Sequence, residues 1–181
     1  MSVRETNTKT GEVAATVAVS LAALAAVANL IGAAVLARAF VRDAELLDDS
    51  LALFTLLGAL AAAFVFGYGG LLLARREETG RWLVIVAAGT QLALGVLALL
   101  ATLVDYDAEY GIHWFAPEPL LSSIALGFGG VPGAVTAIVN HSWAASASAV
   151  ALGVLVGLPA LLPWTADYTL ARPHPAVEPT V

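Results

Sequence analysis

Charged side chains are missing from four long stretches of this chain. None falls between Glu12 and Arg38, between Asp49 and Arg75, or between Arg81 and Asp105. The 48 residues between Glu118 and Asp167 are also free of charge. An α-helix rises 1.5 Å per residue, so about 20 apolar residues cross the roughly 30 Å hydrocarbon core of a bilayer. The first three intervals therefore each predict one transmembrane helix, over residues 13–37, 51–74 and 82–104. They are apolar on every face, which excludes amphipathic helices lying on a surface.

Composition supports the same reading. Of 181 residues, 60% are hydrophobic and only 12% are charged, against about 25% charged in ordinary soluble domains. The mean hydropathy is +0.87. A water-facing surface on a chain of this size needs more charge than is present. The expectation is an all-α polytopic membrane bundle, with the lipid bilayer as its surroundings.

The fourth interval admits two arrangements. Residues 120–139 and 144–163 are each long and apolar enough to span, with Asn140, His141, Ser142 and Trp143 as a polar turn between them. Five spans are favoured on length. In the four-span alternative, residues 120–139 are re-entrant or irregular, because Gly127, Gly129, Gly130, Pro132 and Gly133 crowd that segment. The domain reading is a cytoplasmic N-terminal segment (1–12), a transmembrane bundle (13–163) and a flexible Pro-rich tail (164–181) carrying Pro173, Pro175 and Pro179.

Arg75, Arg76 and Arg81 lie in or beside the short connection between the second and third spans. Lys and Arg concentrate in cytoplasmic loops, which places this loop and the N-terminus, with Arg4 and Lys9, on the cytoplasmic side of a plasma membrane. Arg38 and Arg42 in the first external loop weaken the bias.

Close helix packing in lipid favours small residues and interhelical hydrogen bonds. The packing candidates are the four-residue stripe Ala14, Ala18, Ala22 and Ala26, and two G-x-x-x-G pairs, Gly129/Gly133 and Gly153/Gly157. The intramembrane polar candidates are Asn29, Thr55, Tyr68 and Gln91. By helix rise, Tyr68 and Gln91 sit about 9 and 14 Å from the inner ends of their spans, near enough in depth to pair.

Chemistry is sparse. The chain has no cysteine, so disulfides and thiolate sites are excluded. No Asp, Glu, Lys or Arg lies within an expected span, which argues against a buried-carboxylate proton relay, a voltage sensor or a retinal Schiff base. The stretch from Asp105 through Asp107 and Glu109 to His113 is acidic, but it lacks the Gly and Glu of a calcium loop. Its aromatic residues Tyr106, Tyr110, Trp114 and Phe115 suit the water–lipid boundary. His141 reads as a turn residue. Gly67, Tyr68, Gly69 and Gly70 lie inside an apolar span, where helix packing explains them better than phosphate binding. No nucleophile, dinucleotide or metalloprotease motif appears. The sequence thus points to no catalytic residue, no cofactor and no metal. A net charge of −6 argues against nucleic acid as a partner.

Three functional classes follow. The first is a structural or accessory subunit that associates with other membrane proteins or with itself. The second is a small transporter or channel built on the broken segment 127–133. The third, a surface enzyme using Asp105, Asp107, Glu109 and His113, has the least support.

Overall fold

The computed structural model describes residues 3–42, 49–104 and 120–170, and all regular structure among them is helical. Seven helices occur among the described residues: α1 (Val3–Arg42), α2 (Asp49–Ala74), α3 (Glu78–Leu103), α4 (Leu120–Gly127), α5 (Val131–Val139), α6 (Trp143–Leu161) and α7 (Pro163–Leu170). Four of them are long and apolar enough to cross a membrane, over Lys9–Arg42, Ser50–Ala74, Glu78–Leu103 and Trp143–Leu161. A fifth spanning helix is not among them. Residues 120–139, expected as one span, form helices of only eight and nine residues. At 1.5 Å per residue neither exceeds about 14 Å.

The burial pattern is the reverse of a water-soluble core. Ala18, Ala22, Ala25, Ala59, Ala88, Ala98, Ala134, Ala145 and Ala160 are buried, whereas Leu24, Phe54, Phe64, Val86 and Leu103 are exposed. Soluble chains put their largest apolar side chains inside. Here many of those side chains point outward, although Phe66 and Leu73 are buried. Small residues let the helix backbones approach one another, as expected where lipid tails rather than water surround the bundle.

Antiparallel neighbours set the depth scale. Along α1 and α2, Ala22 faces Gly70 and Ala26 faces Gly67. Further along the same pair, Leu36 meets Ala52. The α2–α3 turn is tight, and Arg76 adopts a left-handed conformation with φ 62°. On α3 and α6, Gly95 abuts Ala149 and Val150, Gly153 abuts Leu92, and Gly157 meets Ala88. The α6 helix starts beside the end of α3, where the Thr102 and Ser146 hydroxyls lie 3.5 Å apart. It is capped by Ser142, whose Oγ accepts from the Ala145 N–H.

The tail read as flexible from residue 164 begins with an ordered helix. Pro163 opens α7, a position where its missing N–H costs nothing. Thr165 and Thr169 are buried, and the Trp164 carbonyl packs against Gly11 near the start of α1. Arg76 joins the same cluster. Its Nη2 donates to Glu12 Oε1 at 3.1 Å, and its guanidinium sits 4.6 Å from the Tyr168 ring centroid. Both partners of the ion pair are partly exposed, so its own contribution is modest, about 0.2–1 kcal/mol. Its structural meaning is positional: α7, the start of α1 and the α2–α3 turn share one end of the bundle.

Candidate functional site

The region of greatest polar and backbone complexity is the break between α4 and α5. Gly130 takes φ 73°, a conformation that L side chains rarely adopt. It also packs against the Asn29 carboxamide so closely that an added Cβ would overlap it. Two separate constraints therefore require glycine there. The chain turns at Gly129 and Gly130, and α5 then runs back beside α4. Leu126 lies against Gly133, and Ala125 and Thr136 line one shared crevice.

Asn29, fully buried on α1, holds the turn. Its Oδ1 accepts from the Val131 N–H at 2.9 Å, and its Nδ2 donates to the Ala25 carbonyl at 2.9 Å. The first amide of α5 is thus capped by a side chain 102 positions away. Pro132 has no N–H to satisfy, and the Ala134 N–H bonds to the Gly130 carbonyl. Beside the turn, Ile31, Gly32, Val35, Leu36, Pro132 and Gly133 help to line an apolar crevice of about 140 Å³.

The depth of this turn follows from its neighbours. Val131 clusters with Ala33 and Ala59, which lie about 14–15 Å along their helices from Arg42 and Asp49. At the other end of α5, Ala137 clusters with Ala98 and Ala145. Gly127, at the end of α4, lies against Ala145 and Ser148 in the first turns of α6. From Gly127 the chain runs deeper to Val131, and α5 then returns to the level where α6 begins.

A second feature lies across Val131 from Asn29. A cavity of about 330 Å³ opens between α2 and α3, lined by Gly58, Ala61, Ala62, Val65, Val86, Ala87, Thr90, Gln91, Leu94 and Val131. Gln91 is 2% exposed, and neither its Oε1 nor its Nε2 has a hydrogen-bond partner. Thr90 at the exposed rim donates to the Val86 carbonyl.

The other polar candidates are placed as follows. Thr55 is buried on α2. Tyr68 is 48% exposed and stacks on Phe64, with ring centroids 5.7 Å apart. It therefore points away from the bundle and does not meet Gln91. Leaving a buried amide unsatisfied costs about 1–3 kcal/mol. Gln91→Leu is accordingly expected to leave the unfolding free energy in detergent unchanged or to raise it by about 1 kcal/mol; a loss of stability would mean that the amide has a partner.

Among the packing candidates, Ala14, Ala18, Ala22 and Ala26 are buried, and the latter two face α2. Gly153 and Gly157 face α3. Gly129 and Gly133 do not lie on one helix, so they form no shared G-x-x-x-G stripe. Gly129 belongs to the turn, and Gly133 packs against the end of α4. The acidic loop residues Asp105, Asp107, Glu109 and His113 lie outside the described residues.

Other polar side chains in the bundle bond to their own or the adjoining helix backbone. Thr136 donates to Pro132, Ser148 to Ala144, Ser146 to Ser142 and Thr165 to Pro159 carbonyls. Among the described residues, no group of three or more His, Asp or Glu side chains is arranged to hold a metal ion. The sequence singled out Asn29 but missed its partner at Val131 and the cavity around Gln91.

No family model, curated protein or solved structure matches the chain.

Proposed function

We propose that this chain is a four-span membrane protein with a re-entrant α4–α5 hairpin, and that it serves as a structural or accessory component of a membrane assembly. The start of α1 and helix α7 then face the same side, the cytoplasm, where the Arg-bearing α2–α3 turn belongs. The plasma membrane is the proposed location.

The observation that carries this reading is the cap at the hairpin tip. Discontinuous helices that bind solutes present free backbone groups at mid-membrane. Here one such group, the Val131 N–H, is occupied by Asn29, and the Ala134 N–H is bonded to the Gly130 carbonyl. The adjacent crevice is apolar, and the hydroxyls of Thr136, Ser146 and Ser148 are turned to their own helix backbones. A hairpin held in this way supports a scaffold better than a conduction path.

Flux assays in liposomes test the choice. Protein-containing vesicles are expected to pass potassium ions, protons and small uncharged solutes no faster than empty ones. Solute-specific flux that Asn29→Ala alters would overturn the scaffold reading in favour of transport through the broken segment.

A further inference from the structure

We propose that the cavity between α2 and α3 is a binding site for an uncharged, lipid-soluble molecule carrying a hydroxyl group. Gln91 is a buried carboxamide with an unused donor and an unused acceptor, and it helps to line an apolar cavity. Buried amides in native proteins nearly always have partners, and exceptions call for a specific explanation. A hydroxyl answers both vacancies at once: its proton goes to Gln91 Oε1, and its oxygen accepts from Nε2. A ligand with only a carbonyl would satisfy Nε2 and leave Oε1 unpaired. Both amide atoms are closed off from the cavity, so binding requires the Gln91 side chain to swing into it about its staggered torsions, after which the soft terminal torsion sets which atom meets the hydroxyl.

The lining sets the rest of the chemistry. Gly58, Ala61, Ala62, Val65, Val86 and Leu94 offer only apolar surface, and no lining residue carries a charge. An ionised ligand would have no counter-charge there. The volume of about 330 Å³ is at the small end of the usual range for ligand pockets, about 300–1,000 Å³. Val86 and Thr90 on the rim are exposed on the outward face of α3, so the occupant enters sideways from the bilayer.

Depth excludes the headgroup of an ordinary phospholipid. Gln91 lies roughly 18–20 Å along the helix from either end of α3, close to the middle of the hydrocarbon core and far from the ester and phosphate layers. The occupant must bring its own polar group to mid-membrane, where the amide stabilises it.

The test uses the full chain reconstituted in phosphatidylcholine vesicles. The probe is a photoactivatable secondary alcohol with its hydroxyl at mid-chain, compared with the matching alkane. The alcohol is expected to label residues 86–94 at least tenfold more than the alkane does. Gln91→Leu, and separately Ala62→Leu, which fills the cavity from α2 while leaving Gln91 in place, are expected to reduce labelling to the alkane level. Equal labelling by the two probes would overturn the proposal. So would labelling that persists in Gln91→Leu, or crosslinking that shows the cavity filled by a second copy of the chain.

Discussion

Replacing Asn29 with alanine is expected to destabilise the bundle by about 2 kcal/mol and to loosen residues 128–134 selectively. Single interhelical hydrogen bonds in membranes average only about 0.6 kcal/mol, with a maximum near 1.7. Asn29 exceeds the average because its loss has three consequences. The bond to Val131 is removed, the Val131 amide is left buried without its acceptor, and a void opens against Gly130. Unfolding by denaturing detergent measures the total. Hydrogen exchange locates it: amides of 128–134 should exchange faster, while those of 84–98 in α3 should not change. Unaltered protection at the turn would mean that the hairpin is held by packing alone.

The second large effect is expected where α3 and α6 approach most closely. A Cβ on Gly153 would stand 2.8 Å from the backbone nitrogen and Cα of Leu92. Backbone cannot move aside as a flexible side chain can, so Gly153→Leu must separate the two helices. Overpacking of this kind costs about 1–3 kcal/mol and occasionally more; the rigid backbone neighbour places Gly153→Leu near the top of that range. Gly89 is the internal control. It lies on α3, one turn from Leu92, with nothing within 4 Å of an added Cβ. Gly89→Ala is expected to stabilise the chain by about 0.5–1 kcal/mol through helix propensity alone. Equal effects at the two sites, measured in one detergent series, would show that the α3–α6 contact is loose.

The sequence made the bundle legible because its main constraint is local. A charge-free run long enough to span needs no knowledge of its neighbours; α2 and α3 coincide closely with two such runs, and α1 contains the third but extends beyond it at both ends, through most of the expected N-terminal segment. The Ala18, Ala22 and Ala26 face could be read for the same reason, since four-residue spacing keeps side chains on one side of a helix. What was hidden depended on distant partners. Residues 120–139 are apolar enough for a span, and only the left-handed Gly130 with Asn29 against it forces the chain to turn back. Nothing near Val131 in sequence announces a capping residue on α1.

The pairing expected between Tyr68 and Gln91 failed on angle rather than depth. The helix rise put the two at similar levels, but Tyr68 is on the outward face of α2 and Gln91 on the inward face of α3. The start of the tail was misread because Pro173, Pro175 and Pro179 dominated its composition. Pro163, which opens α7, was the local signal of a helix start, and burial of Thr165 and Thr169 depends on contacts that the sequence does not display.

The central claim is that the chain crosses the bilayer four times and that α4 and α5 enter and leave by the same face. Because the sequence contains no cysteine, single-cysteine variants can report sidedness without background. Val104→Cys, Trp143→Cys, Thr79→Cys and Leu170→Cys all alter exposed positions. In sealed vesicles of one orientation, a membrane-impermeant thiol reagent should reach positions 104 and 143 from one side and positions 79 and 170 from the other. Position 143 reacting with 79, and 170 with 104, would show that residues 120–139 cross the membrane, contradicting the four-span hairpin.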